Sequence, residues 1–129
     1  MPDPADLIHG SCHCGAVAFE LTPPLPFVSH CHCHSCRRIH GAPVVTWTGV
    51  SHDAYRVTSG ADVLVDYRSS GPVVRRFCGR CGTPVAYVSD EWPGKTYVPF
   101  ALLSDPPPDV GPDSHVNTAD AVPWLILGD

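Results

Sequence analysis

Short stretches in which apolar and polar residues alternate recur along the chain, separated by clusters of glycine, proline, serine and aspartate. Alternation with a period of two, together with many valine and aromatic residues, predicts β-strands with one buried face. The predicted strands are residues 16–22, 44–50, 63–68, 73–77, 85–88 and 96–103. The separating clusters are typical of turns, so we expect a mainly β protein with mostly antiparallel sheets.

Helical patterning is scarce in this sequence. One or two helical turns are predicted at residues 35–40, where Gly41 and Pro43 end the pattern. Three other segments have a predicted position: an N-terminal tail at 1–9, a proline-rich surface loop at 104–112, and an apolar stretch at 122–127 that packs back onto the sheet.

The composition supports this picture and narrows the range of partners. A length of 129 residues is that of one domain, predicted to span residues 1–129. The formal net charge of −5 argues against a nucleic-acid partner held by its phosphates. Residues 1–9 carry no apolar run, and no stretch approaches the ~20 apolar residues of a membrane span. We therefore expect a soluble, cytoplasmic protein without a membrane partner, and the oligomeric state stays open.

The 7 cysteines are the main candidates for chemistry. Their number is odd, and two pairs are separated by a single residue, which is awkward for internal disulfides; reduced thiolates that bind metal fit better. The cysteines fall into three groups along the chain: Cys12 with Cys14, then Cys31, Cys33 and Cys36, then Cys78 with Cys81. Because tetrahedral zinc takes four protein ligands in a closed site and three in an open one, these groups divide most naturally into four plus three.

The first and last groups together form the four-cysteine cluster, Cys12, Cys14, Cys78 and Cys81. In an extended C-x-C segment both side chains leave the same strand face, so that one metal can take both. The C-x-x-C pair is a tight knuckle in which Gly79 and Gly82 let the backbone turn. A zinc ion here would tie the start of the chain to its middle and stabilise the fold directly. The alternative is that the two pairs serve different metals or pair between chains.

The middle group is the three-cysteine cluster, Cys31, Cys33 and Cys36. The chain contains no further cysteine, so the fourth position of its metal is either exchangeable or closed by a histidine. His32 should point to the opposite strand face, and His34 lies too close in the turn to bind comfortably. The histidines that remain possible are His30, His40, His52 and His115.

An open three-thiolate zinc site favours sulfur chemistry over hydrolysis. Three thiolates donate charge strongly and leave the metal a weak acid toward water, whereas a soft site suits a thiol bound as thiolate. Such a site can present a small thiol to an electrophile or stabilise a departing thiolate. Arg37 and Arg38 would then either neutralise the thiolates or bind the carboxylates of an anionic thiol such as glutathione.

These motifs resemble the glutathione-dependent formaldehyde-activating (GFA-like) domain family, which has the Mss4-like fold. The matching positions are GSCHCGAV at 10–17, CHC at 31–33, CR at 36–37, GA at 41–42, YRSS at 67–70, RFCGRCGT at 76–83, His115, and PW at 123–124. The resemblance implies zinc-bound antiparallel β-sheets with a structural zinc on the four-cysteine cluster. It also implies a second, more labile zinc on the three-cysteine cluster, where glutathione acts. The family's named activity adds glutathione to formaldehyde and is classed with the carbon–sulfur lyases.

Three functions remain open from the sequence. The first is a zinc-dependent carbon–sulfur lyase that acts on glutathione or another small thiol, with Cys31, Cys33 and Cys36 as catalytic residues and Arg37 and Arg38 as substrate-binding residues. The second is a non-catalytic carrier of glutathione or metal, which would bind a thiol without turnover. The third is an interaction module in which both zinc ions are structural, as in the members of this family found in chromatin-associated proteins.

Overall fold

The computed structural model describes residues 6–127, which form two β-sheets and one α-helix. The strands are β1 (Ile8–Ser11), β2 (Ala18–Leu21), β3 (Val28–Cys31), β4 (Val45–Ser51), β5 (Tyr55–Ser59), β6 (Leu64–Arg68), β7 (Val73–Cys78), β8 (Pro84–Ser89), β9 (Lys95–Pro99) and β10 (Ser114–Val116). The helix α1 is His34–His40. Within the described part of the chain no helix has the length and apolar character needed to cross a membrane.

The strands divide unequally between the sheets. One sheet has the order β1-β2-β5, and the other has the order β10-β3-β4-β9-β8-β7-β6. All pairs are antiparallel except β10 with β3, which run parallel with His115 opposite His30 and Val116 opposite Cys31. The mainly β, antiparallel fold predicted from the sequence is confirmed, with one short helix.

The main core lies where the two sheets pack against each other. Phe19 and Leu21 of β2 are almost fully buried, and they meet Val50 of β4 and Val98 of β9. Cys12 and Cys78 belong to the same core. A smaller apolar cluster of Cys31, Cys36, Val45 and Trp47 forms separately. The seven-stranded sheet therefore has two packed regions, and each contains cysteine side chains.

The residues at its two caps, Cys33 and Gly41, explain where α1 begins and ends. Cys33 is its N-cap residue, and the Cys33 sulfur accepts a hydrogen bond from the backbone N–H of Cys36 at 3.2 Å. Gly41 ends the helix with φ of 61°, a left-handed conformation that glycine adopts without steric cost. The predicted segment 35–40 is therefore helical, and the helix starts one residue earlier.

Four strands escaped the sequence prediction: β1, β3, β5 and β10. Strand β1 includes Ile8 and His9, so the predicted tail at 1–9 ends earlier than expected; residues 1–5 lie outside the described part. The loop at 104–112 is largely exposed, in line with its prediction. In residues 122–127 the structure has no strand, and Trp124 and Ile126 are 71% and 91% exposed, so these two side chains do not pack onto the sheet as predicted.

Candidate metal centres and the adjoining pocket

The four-cysteine cluster lies at one end of the main core. Cys12 and Cys14 occupy the turn after β1, Cys78 ends β7, and Cys81 lies in the turn that follows. Their four sulfur atoms lie within 4.8 Å of one another. The tight turn at Cys78–Cys81 is closed by a hydrogen bond from the Gly82 N–H to the Cys78 carbonyl at 2.8 Å. The fold thus brings together the two cysteine pairs that the sequence predicted as one site.

The spacing of these sulfurs fits a tetrahedral metal. The Cys12 and Cys14 sulfurs are 3.7 Å apart, and the Cys14 and Cys78 sulfurs are 3.8 Å apart. With Zn–S bonds of ~2.3 Å, the edge of a zinc–thiolate tetrahedron is ~3.8 Å. Backbone N–H groups of Val17 and Arg80 donate to the Cys12 and Cys78 sulfurs, which stabilises thiolates. The cluster is therefore compatible with a zinc ion.

The three-cysteine cluster lies at the junction of β3 and α1. Cys31 ends the strand, Cys33 caps the helix, and Cys36 lies in its first turn, so a short stretch of chain brings all three sulfurs within 4.8 Å of one another. The Cys31 and Cys36 sulfurs are 3.6 Å apart, again close to the edge of a zinc–thiolate tetrahedron. This cluster can hold a metal ion with three protein ligands.

Distant residues supply hydrogen bonds to the same sulfurs. The Asn117 side-chain amide donates to the Cys31 sulfur at 3.4 Å. The Arg75 guanidinium directs Nη1 and Nη2 at the Cys36 sulfur, at 3.6 and 3.7 Å. Arg75 is only 6% exposed, and its guanidinium lies 5.0 Å from the centre of the Tyr87 ring while Nε donates to the Ser69 hydroxyl. A buried cation therefore offsets part of the negative charge of the cluster.

The metal-free thiols titrate as a pair. The hydrogen bond between the Cys31 and Cys36 thiols lowers the pKa of Cys31 to about 5, and the Asn117 amide contributes in the same direction. The same hydrogen bond raises the pKa of Cys36; burial adds to this rise, and the charge of Arg75 opposes it. Cys31 is therefore the first of the two to become a thiolate, the form that binds metal.

A cavity of about 340 Å³ opens onto this cluster. Its lining residues are Phe27, Ser29, Cys31, Cys33, Cys36, Trp47, Arg75, Tyr87, Trp92, Tyr97, Val116 and Asn117. All three cysteines of the cluster line the cavity, whereas no cysteine of the other cluster does. Burial raises the pKa of the phenols of Tyr87 and Tyr97, so both remain protonated hydrogen-bond donors at neutral pH.

The histidines considered as a fourth ligand make other contacts. Among residues 6–127, no histidine has a ring nitrogen within 4.8 Å of all three sulfur atoms of this cluster. The His30 ring bonds the Thr46 hydroxyl, and the His52 ring bonds the Thr96 hydroxyl. His115 lies against His32, with 3.0 Å between Nδ1 and Nε2, and His40 lies edge-on to Trp47. Within the described chain, three sulfurs thus form the ligand set.

Arg37 and Arg38, predicted to bind substrate, do not line the cavity. The Arg38 side chain turns back along α1 to bond His34, because residues four apart share a helix face. Among the residues that line the cavity, Arg75 is the arginine that contacts a sulfur of the cluster. The sequence gives no local signal that pairs Arg75 with Cys36, which lies 39 residues away. Asn117 was missed entirely.

The protein is mainly β and has two cysteine clusters, one of which is part of the core while the other lines a cavity. These features define a small β protein with two candidate metal sites. Its sequence matches the family of the glutathione-dependent formaldehyde-activating enzyme over residues 7–120. The chain therefore belongs to the glutathione-dependent formaldehyde-activating enzyme family.

Two relatives agree with this assignment. A Halomonas elongata protein, provisionally named a glutathione-dependent formaldehyde-activating enzyme, is 34% identical over 106 residues. That alignment covers 77% of this chain and 66% of the relative, just under two thirds. A crystal structure of a Rhodobacter sphaeroides protein has a TM-score of 0.66 and 29% identity, and the match covers 83% of this chain and 98% of that one.

Proposed function

We propose that this protein is a zinc-dependent carbon–sulfur lyase that adds glutathione or another small thiol to an aldehyde and releases it again. In this proposal it works in the cytoplasm and carries two zinc ions. The ion on the four-cysteine cluster is structural. The labile ion on the three-cysteine cluster, Cys31, Cys33 and Cys36, is catalytic.

The observation that carries the proposal is the difference in ligand number beside a cavity. Three sulfurs converge at the three-cysteine cluster, and all three also line a space of about 340 Å³. A tetrahedral metal with three protein ligands retains a fourth position for an exogenous ligand. The family name and the name of the Halomonas elongata relative both point to glutathione and formaldehyde, which supports a thiol in that position.

The residues of the cavity support this chemistry in distinct ways. A zinc ion, when bound, would bind the incoming thiol as its thiolate and so supply the nucleophile at neutral pH. Arg75 offsets the negative charge that three thiolates and a fourth would share, through its contact with Cys36. Asn117 orients the Cys31 sulfur. The protonated phenols of Tyr87 and Tyr97 can donate a hydrogen bond to an aldehyde oxygen at the cavity wall.

The experiment that tests the proposal is a titration of the cobalt-substituted protein with glutathione. Cobalt(II) absorbs in the visible range, and its bands report thiolate number and coordination number. We expect a saturable spectral change in one of two cobalt sites, with no change in the other. The change should vanish in Cys36→Ser, which removes one ligand of the three-cysteine cluster, while the cobalt bands of the four-cysteine cluster persist.

Two outcomes would contradict the proposal in different ways. An unchanged spectrum with two tetrahedral cobalt ions per chain would make both sites structural and favour an interaction module. A saturable change without any acceleration of aldehyde consumption over the uncatalysed rate would favour a thiol carrier. Both readouts use the same protein preparation, so that folding and metal content are controlled.

A further inference from the structure

We propose that the cavity takes an aromatic ring carried by the aldehyde, so that the preferred electrophile is an aryl aldehyde rather than formaldehyde. This inference rests on the proposed function, since it names the substrate class of the same site. Its basis is the shape and chemistry of the aromatic side chains that line the cavity together with the three cysteines.

Aromatic side chains form a continuous wall along the cavity. The ring centres of Trp47 and Tyr87 are 5.8 Å apart, those of Tyr87 and Tyr97 are 5.5 Å apart, and those of Tyr97 and Phe27 are 6.0 Å apart. These spacings lie in the range in which aromatic rings attract one another edge-to-face or offset. Trp92 adds a fifth ring that is 56% exposed. A flat apolar group entering the cavity would extend an arrangement of rings that already exists.

The backbone beneath the wall fixes its shape. Gly49 of β4 lies opposite Tyr97 of β9. A Cβ atom at position 49 would come within 2.6 Å of the Tyr97 ring and 3.0 Å of the Phe27 ring. The Tyr97 and Phe27 rings therefore pack directly against the backbone of β4 at Gly49, where no side chain intervenes. A wall held in this way is formed before the ligand binds, which reduces the entropy cost of binding.

The charges in the cavity offer no partner for a second anionic group. Among the described residues that line it, Arg75 is the one charged group apart from the thiols, and its guanidinium is directed at Cys36. A peptide thiol such as glutathione carries two carboxylates, for which these lining residues offer no second cation. The carboxylates of a bound thiol would thus remain outside, and the cavity would hold the apolar part of the electrophile.

The size of the cavity also favours an aryl aldehyde over formaldehyde. A volume of about 340 Å³ falls at the lower end of the ~300–1,000 Å³ found for sites that bind organic ligands. Formaldehyde has two heavy atoms and would leave most of this space empty. A benzaldehyde-sized molecule would place its ring on the aromatic wall and its carbonyl group toward the sulfurs.

The reaction balances without any further reactant. The thiolate sulfur forms a bond to the carbonyl carbon, and the electron pair of the carbonyl π bond moves to oxygen. That oxygen takes up the proton that the thiol lost on ionisation, giving a hemithioacetal. The reverse reaction breaks the carbon–sulfur bond and returns thiol and aldehyde.

The test compares benzaldehyde with formaldehyde as partners of glutathione on the zinc-loaded protein. Exchange between aldehyde and hemithioacetal is measured by NMR magnetisation transfer. We expect faster protein-catalysed exchange per unit concentration for benzaldehyde. Trp92→Ala should lower the ratio of the benzaldehyde rate to the formaldehyde rate about three- to tenfold, because one ring contact is lost. Trp124→Ala is the matched control, since Trp124 is also exposed but does not line the cavity.

A second measurement follows aryl binding without turnover. The probe is 4-nitrobenzyl alcohol, which cannot react with a thiol in this way and quenches tryptophan fluorescence. In the Trp124→Ala protein, we expect saturable quenching that weakens when Trp92→Ala is added. Equal rates for both aldehydes and no saturable quenching, with glutathione still changing the cobalt spectrum, would overturn the aryl preference and leave the lyase proposal intact. A cobalt spectrum insensitive to glutathione, with quenching retained, would overturn the lyase proposal and leave an aryl-binding cavity.

Discussion

The two cysteine clusters use similar sulfur spacing in different surroundings. In the four-cysteine cluster, Cys12 and Cys78 are part of the main core between the sheets, and two segments converge whose members Cys14 and Cys78 are 64 residues apart in sequence. In the three-cysteine cluster, all ligands come from one short segment and the sulfurs line a cavity. A metal ion at the first cluster would join parts of the chain that are far apart in sequence, whereas a metal ion at the second would join residues already held by β3 and α1. The first cluster is therefore suited to stability and the second to binding.

The largest predicted effect separates the clusters by folding. Cys78→Ser should unfold the protein, because structural zinc contributes roughly 10 kcal/mol in small domains and a whole domain is stable by only ~5–15 kcal/mol. Cys33→Ser should keep the fold within about 1 kcal/mol, because serine is itself a good N-cap for α1. Circular dichroism and thermal melting of both zinc-loaded variants provide the measurement. Similar melting of the two variants would contradict the division of roles.

The next effect concerns metal affinity at the second cluster alone. Arg75→Met should weaken metal binding there about 10- to 100-fold, since loss of a charged hydrogen-bond partner of a metal ligand has that cost. The metal affinity of Arg75→Lys should lie between those of the wild type and Arg75→Met. Lysine keeps the positive charge but lacks the two parallel N–H donors of the guanidinium. Chelator competition with the cobalt-substituted protein resolves the two sites by their spectra.

The matched control is the neighbouring arginine. Arg76 points to the other face of β7 and bonds the exposed Asp66 at 3.0 Å. Because an exposed ion pair contributes only ~0–1 kcal/mol, Arg76→Met should leave both metal affinities as they are. Equal weakening in the Arg75 and Arg76 variants would mean that general charge, rather than contact with Cys36, sets the affinity.

These arginines also show what the sequence could and could not predict. The division of seven cysteines into four and three followed from local spacing, and the structure groups them in the same way. Strand alternation places Arg75 and Arg76 on opposite faces of β7, yet it does not reveal which face meets Cys36, 39 residues away in sequence. The adjacent Arg37 and Arg38 were therefore the natural candidates from sequence, although neither lines the cavity.

The sequence likewise predicted part of the fold. Strands β2, β4, β6, β7, β8 and β9 were found from the alternation of apolar and polar residues in and around them. Strands β1 and β10 are only four and three residues long and contain serine and histidine, so they lack that signal. The three residues of strand β10 are exposed rather than buried, and the strand exists through its parallel pairing with β3. That pairing brings Asn117 to Cys31, and a contact between residues 86 positions apart leaves no local pattern.

A smaller effect should distinguish the cavity from the structural cluster. Gly49→Ala should lower the free energy of unfolding by about 1–3 kcal/mol, because the added methyl group forces the Tyr97 and Phe27 rings to move. It should also weaken binding of 4-nitrobenzyl alcohol while the metal affinity of the four-cysteine cluster stays unchanged. Denaturant unfolding and fluorescence titration measure the two effects. Gly71→Ala is the control, because a Cβ there meets no atom within 4 Å; equal stability of the two variants would contradict the packing argument.

The smallest effect asks whether the region of the second cluster is also the more sensitive to acid. Burial lowers the pKa of His40 to about 4, and the nearby charge of Arg75 acts in the same direction. In the unfolded chain a histidine has a pKa near 6.5, so between pH 6.5 and 4 the unfolded state binds more protons. Stability should consequently fall as the pH falls through this window, by about 1 kcal/mol after allowance for solvent around a half-buried ring.

The variant that isolates this term is His40→Leu, which keeps the contact of an apolar side chain with Trp47. Denaturant unfolding of the zinc-loaded wild type and variant at pH 7 and pH 5 gives, for each protein, the change of the free energy of unfolding with pH. Both proteins carry the same seven cysteines, so acid loss of metal is common to them and cancels in the difference. We expect the variant to lose less stability on acidification. Parallel slopes would mean that protonation of the thiolates alone accounts for the acid sensitivity, with His40 making no separate contribution.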